Sequence, residues 1–220
     1  MADANGWIDV SVPIRSGMLV WPGDSDVAVV KTATHAAGDH SEVTHLSMSA
    51  HTGTHMDAPL HFLADGDPVD AFAPALGIGS ARVLEIEASG SAIGPEHLGP
   101  ADLAGVERLL LKTHNSQRLG YGEPFQEDYA RLTSEAAERV AASGVRLIGT
   151  DYLSIGSPGE DGARAHRALL GADVWIVEGL ALRDVVPGWY EMICLPLRLP
   201  EADGSPCRVL LRKRTSGGRA

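Results

Sequence analysis

Short runs of apolar residues, continuous or alternating with polar ones, recur at positions 7–12, 27–31, 44–49, 82–87, 108–112, 145–149, 174–177, 191–197 and 208–212. Runs of this length, rich in Val, Ile and Leu, predict strands. The segment 133–144, TSEAAERVAASG, follows a different period. It opens on Thr and Ser as cap residues, carries an acid in its first turn, sets Ala137, Val140 and Ala141 on one face and reaches Gly144 where a helix-ending glycine belongs, so it predicts a helix. That helix leads directly into the strand at 145–149. Positions 163–170, ahead of Gly171, predict a second, shorter helix. Strands outnumber helices, no internal repeat is visible, and the 25 Gly and 13 Pro are dispersed through loops. The pattern is that of a strand-rich α/β protein.

At 220 residues the chain can bury one sizeable core, and no linker divides it, so positions 1–212 are expected to form a single domain. The remainder, 213–220, lacks apolar periodicity and is expected to be a flexible tail. A net charge of −11 argues against counterion-release binding to nucleic acid or an anionic membrane and leaves small molecules as the expected partners. The N-terminus shows no basic segment followed by an apolar run, and no stretch has the length of a membrane span, so the cytoplasm is the expected location. Cys194 and Cys207 are too few for a disulfide scaffold. They read as two buried thiols, Cys194 within the apolar strand MICLPL.

The chemistry concentrates in residues 51–61, HTGTHMDAPLH, where His51, His55, Asp57 and His61 share one parity. Imidazole nitrogen and carboxylate oxygen suit borderline divalent ions such as Zn²⁺ and Mn²⁺, and ligands close in sequence cost little chain entropy to assemble. A regular strand would hold His51 and His55 roughly 13 Å apart, too far for a shared ion. A helix would swing Asp57 away, and Thr-Gly-Thr before Pro59 is a poor helix. The segment is therefore expected to be curled and irregular, with Gly53 at the bend. Period-2 polar residues can also be the wet face of a strand, but four metal-capable groups in one window make that reading weaker.

HTGTHMDAPLHF resembles the signature of the cyclase-like metal-dependent hydrolases, whose members include bacterial kynurenine formamidases and isatin hydrolases. The resemblance extends from WIDVSVPI and WPGD through GVERLLLKT, VRLIGTDYLSI and IVEGL to YEMICLPL and ADGSPCRVLLR. It implies a swivelling β/β/α fold, a homodimer, and a two-metal centre of Zn²⁺ or Mn²⁺. In that implied centre His51, His55 and Asp57 hold the first ion, His166 and Glu178 serve the second, and a carboxylate bridges them. His61 stays off the metals, or binds weakly, and handles protons. Without the resemblance, His166 is better read as a helix-surface residue and Glu178 as a strand end.

The implied reaction is hydrolysis of an aryl formamide or cyclic amide C–N bond, with N-formylkynurenine as the first substrate to consider. Trp21 of WPGD corresponds to a substrate-pocket aromatic, although from the residues alone it serves equally to cover the core edge beside Pro22. The chain departs from the Asp-Val-Pro-Ser of kynurenine formamidases, reading Asp151-Tyr152-Leu153-Ser154. Alternatives are an isatin hydrolase, a lactone hydrolase or cyclase using the same metals, and a metal-binding module without turnover. No G-x-S-x-G frame surrounds Ser154, which reads as a loop hydroxyl or a substrate contact.

Overall fold

The longest apolar runs become the strands that are buried on both faces. The computed structural model describes residues 3–87, 90–119 and 124–214. In chain order these residues form β1 (Trp7–Asp9), β2 (Ala28–Ala33), β3 (Val43–Ser47), β4 (His55–Asp57), α1 (Pro74–Gly77), β5 (Ile78–Glu85), β6 (Ala92–Ile93), α2 (Pro100–Leu103), β7 (Arg108–Lys112), β8 (Arg131–Leu132), α3 (Ser134–Ala141), β9 (Leu147–Thr150), α4 (Glu160–Leu170), β10 (Trp175–Glu178), β11 (Gly188–Pro196) and β12 (Gly204–Lys213).

Seven strands run β12-β11-β5-β7-β9-β10-β4, and β4 pairs back onto β12 to close a barrel-like sheet. The pairs β5–β7, β7–β9 and β9–β10 are parallel, and the others are antiparallel. Closure works because β12 divides its length: Gly204, Ser205 and Pro206 pair with β4, while Leu210, Leu211 and Arg212 pair with β1. A closed sheet leaves few unpaired backbone groups. β2 and β3 form a separate hairpin with Val30, Val43 and Leu46 exposed.

The period of two sorts side chains between two cores. Met56, Val83, Leu110, Val177, Met192 and Val209 fill the inside of the barrel. Leu109, Leu111, Ile148 and Ile176 point outward and are covered by Ala137 and Val140 of α3 and Ala165 and Leu169 of α4. Thr133 caps α3 as its sequence implies, its Oγ1 accepting from the Ala136 N–H at 3.2 Å. The result is a single-domain strand-rich α/β protein. β12 continues to Lys213, and the Arg214 N–H donates to the Trp189 carbonyl. The rest of the expected tail lies outside the described residues. The two thiols stand side by side on β11 and β12, Sγ to Sγ 3.9 Å, with Cys194 buried and Cys207 half-buried.

Candidate metal centre

The motif does curl, but only in its first half. Gly53 adopts φ +66°, and a side chain there would press on Val12 and Met18. This bend carries His51 over to face Asp57. From His55 the chain is a regular strand, contrary to the expected irregular course through the whole segment. The reason is pairing on both edges: β4 bonds to β10 on one side and to β12 on the other. Met56 enters the barrel core, which turns His55 and Asp57 together to the opposite face.

Register then recruits the distant residues. His55 faces Glu178 directly across β4–β10. α4 lies on the same outer face and presents His166, which is buried rather than on the helix surface. Its burial follows from the neighbours in its helical stripe, Ala165 and Leu169, which pack into the outer core.

Five groups thus meet around Asp57. Its Oδ1 lies 2.9 Å from His51 Nδ1 and 3.3 Å from His55 Nε2, and its Oδ2 lies 3.9 Å from His166 Nε2. Glu178 Oε1 is 3.3 Å from His166 Nε2, and its Oε2 is 3.5 Å from His55 Nε2. Two sets have one ligand atom per residue, all within 4.8 Å of one another: His51, Asp57 and His61, and His55, Asp57 and Glu178. Asp57 belongs to both. Each sequence-predicted ligand is therefore at this centre, together with His61.

The donor set fits divalent ions in two further respects. His55 Nδ1 donates to the Gly53 carbonyl at 3.0 Å and His166 Nδ1 to the Gly162 carbonyl at 2.7 Å. A carbonyl can only accept, so each ring has its proton on Nδ1 and offers Nε2, the arrangement by which proteins orient metal-binding histidines. The Glu178 carboxylate is likewise held from behind, accepting the Ile155 N–H at 2.7 Å.

Charge balance in the ion-free chain points the same way. Burial opposes a charged ring at His51, yet hydrogen bonding and attraction to Asp57 and Asp203 push it up to about 9. His55 and His166 are raised despite burial by Asp57 and Glu178, and Asp57 is held well below the carboxylate range by hydrogen bonds from His51 and His55, against the effect of its burial. Protons on imidazoles thus do the neutralising that a cation can do instead. His61 is the exception, lowered chiefly by burial.

A cavity of about 330 Å³ opens over the cluster, lined by Trp21, Asp24, Phe62, Leu153 and Ser154 beside the metal-capable groups. Trp21 walls this cavity and packs edge-on against Phe125 with centroids 5.4 Å apart. Phe62 stacks on His166 at 4.3 Å. The Asp151 carboxylate does not join the centre. It is buried and accepts from Thr113 N at 2.7 Å and Thr113 Oγ1 at 2.8 Å, tying down a neighbouring loop.

The family model described as "Putative cyclase" matches residues 8–157. The chain belongs to the cyclase family. It is similar to the kynurenine formamidase of Bacillus cytotoxicus, 37% identical over 209 residues that span 95% of this chain and 98% of that one. The kynurenine formamidase of Salinibacter ruber is 36% identical, with 93% of this chain and 96% of the relative covered. Among solved structures, "The Structure Of Potential Metal-Dependent Hydrolase With Cyclase Activity" superposes with a TM-score of 0.81 at 30% identity, covering 95% of this chain and 98% of the other. Isatin hydrolase A from Labrenzia aggregata shares the fold, with a TM-score of 0.80 at 23% identity and coverage of 93% and 92%. The cyclase family match ends before His166 and Glu178, but the formamidase similarity runs over nearly the whole chain.

One residue at the centre was not foreseen. Asp203 Oδ2 lies 3.1 Å from His51 Nε2 and 3.4 Å from His61 Nδ1. It falls within the ADGSPC segment that carries the family resemblance, yet no local pattern separates it from other turn acids.

Proposed function

We propose that this chain is a metal-dependent arylformamidase that hydrolyses N-formylkynurenine to kynurenine and formate. The observation that carries the proposal is the gathering of His51, His55, His166 and Glu178 around the buried Asp57 carboxylate, with these four lining an aromatic-walled cavity. The near full-length similarity to kynurenine formamidases supports it. His51, His55 and Asp57 would hold one ion, and His166 and Glu178 would serve a second beside the Asp57 carboxylate. Imidazole and carboxylate donors without thiolate suit Zn²⁺ or Mn²⁺. When bound, such ions polarise the carbonyl under attack and make water a nucleophile at neutral pH.

The chain's own residues supply proton transfer and orientation. His61 Nδ1 faces Asp203, which leaves Nε2 to take a proton from the attacking water and return it to the leaving aniline nitrogen. The C–N bond breaks, formate departs with the water oxygen, and the amine carries the transferred proton. Trp21, Phe62 and Leu153 flank the aryl ring and limit water in the cavity. Asp24 adds a carboxylate with no ion-pair partner among the described residues, suited to the α-ammonium that N-formylkynurenine carries and isatin lacks.

A structural metal module would close its coordination sphere, whereas this centre opens onto a substrate-sized cavity. The exposed apolar residues of the β2–β3 hairpin support a homodimer, since an isolated two-stranded hairpin is marginal in water. The deciding experiment is a hydrolysis panel on metal-replete protein with N-formylkynurenine, formanilide, isatin and an aryl lactone. Turnover of the formamides ahead of isatin and lactone supports the proposal. The reverse order would replace it with the cyclic-substrate alternative.

A further inference from the structure

Asp203 sits where it does because of sheet register. Gly204 is the Cα partner of Asp57 across β4–β12, and the Ala58 N–H donates to the Asp203 carbonyl at 2.9 Å. Gly204 also has to be glycine, since a Cβ there would lie 2.7 Å from His51 Cε1. The absent side chain lets the His51 ring lie against the strand, with its far nitrogen at the neighbouring carboxylate.

One oxygen of that carboxylate serves two rings. Asp203 Oδ2 is 3.1 Å from His51 Nε2 and 3.4 Å from His61 Nδ1, while the two imidazoles are stacked with centroids 4.0 Å apart and planes 28° from parallel. An ionised carboxylate can only accept, so His51 Nε2, which is hydrogen-bonded to it, is the donor, and His61 Nδ1 stands at ion-pair distance, where the negative charge favours a proton on that nitrogen. His51 Nδ1 in turn faces Asp57 Oδ1 at 2.9 Å and without an ion donates there, so it is the nitrogen that gives up its proton to a cation while Nε2 keeps its own on Asp203. On His61 the charge of Asp203 beside Nδ1 leaves Nε2 as the nitrogen with the lone pair. His55 and His166 have the opposite tautomer preference, since backbone carbonyls hold their Nδ1 protons.

We infer that Asp203 is a positioning residue for this centre: it holds His51 in the tautomer that binds an ion through Nδ1 and His61 in the tautomer that exchanges protons through Nε2. The inference rests on the metal-centre reading of His51, His55 and Asp57. Asp203 itself belongs to neither set of metal-capable groups and does not line the cavity. Its side chain is half exposed, so it retains its charge without the cost of burying an ion. Deprived of it, neutral His51 is free to place its proton on Nδ1, which blocks coordination there.

The test compares Asp203→Ala with Asp203→Asn, the second keeping an accepting oxygen in place. Zn²⁺ affinity of the metal-stripped proteins is measured by competition with a chromophoric chelator, and kcat and KM are measured at saturating Zn²⁺ with formanilide. Asp203→Ala should weaken one bound ion about 10–100-fold and lower kcat by about tenfold or more at saturating metal, with KM nearly unchanged. Asp203→Asn should recover much of both. Should Asp203→Ala bind both ions as the parent does and keep its kcat, the carboxylate is a bystander and the inference is overturned. If Asp203→Ala fails to fold, the same two measurements on Asp203→Asn, with a smaller expected loss of affinity, decide the matter. Absence of formamide turnover by the parent would defeat the proposed reaction, yet the affinity comparison would still decide for or against Asp203.

Discussion

His55 and Glu178 are direct partners across the antiparallel β4–β10 pair, with Nε2 of one 3.5 Å from Oε2 of the other. A one-residue slip in that register would turn one strand over and carry His55 or Glu178 into the barrel core, where Met56 and Val177 now stand. The centre is thus a property of strand pairing as much as of the motif. Glu178→Gln keeps the shape and the hydrogen bond from Ile155 but removes a charge facing His55 and His166. It is expected to weaken metal binding at least tenfold, read by metal content after dialysis against a weak chelator. Full occupancy in this variant would mean that Glu178 is not a ligand.

His61 and Asp57 have opposite signatures despite their proximity. His61→Ala should reduce kcat by roughly 10²–10⁴ while metal content holds, the range for loss of a general acid–base group. Asp57→Ala should empty at least one site and remove activity with it, because Asp57 is common to both ligand sets. Steady-state kinetics beside elemental analysis separates the two roles. If His61→Ala loses metal as completely as Asp57→Ala, His61 is a ligand.

The ion-free protein should lose stability as pH rises. His51 is held up at about 9 in the fold against roughly 6.5 in an unfolded chain, so its contribution is complete below about 6.5 and vanishes as pH passes 9. His55 and His166 are raised in the same sense, whereas lowered His61 acts only below the window. For His51 the effect amounts to about 3 kcal/mol at most. Metal-loaded protein should behave oppositely, since ions displace these protons more readily as pH rises. Thermal unfolding of stripped and Zn²⁺-loaded samples at pH 6.5 and 9 checks both signs. A stripped Tm that rises over this window would show that the rings carry no protons.

Much of this arrangement is written locally in the chain. β7 occupies 108–112 as its apolar run implies, and α3 begins after Thr133 because the cap chemistry is explicit. α4 starts at Glu160 rather than 163, since its polar first turn carries no apolar period. β5 begins at Ile78 rather than 82, because Gly79 and Ser80 interrupt the alternation. β4 was illegible as a strand for a functional reason: its outward residues are His55 and Asp57, polar yet buried, which inverts the usual pattern. Asp203 was invisible because its role comes from the β4–β12 register and not from its neighbours in sequence.

Asp24 should govern which formamides are preferred. Asp24→Asn is expected to raise KM for N-formylkynurenine by about tenfold, the order of one charged hydrogen bond, with little change for neutral formanilide. Equal effects on both substrates would show that the carboxylate supports the WPGD turn rather than an ammonium.

The central claim is that ions held by this cluster hydrolyse an aryl formamide. Formation of kynurenine from N-formylkynurenine, followed by absorbance, tests it most directly on protein exhaustively stripped by chelator and then titrated with Zn²⁺ or Mn²⁺. The account predicts no turnover in the stripped protein and recovery that saturates as the sites fill. Undiminished turnover after verified metal removal, or none at any metal loading, would contradict it.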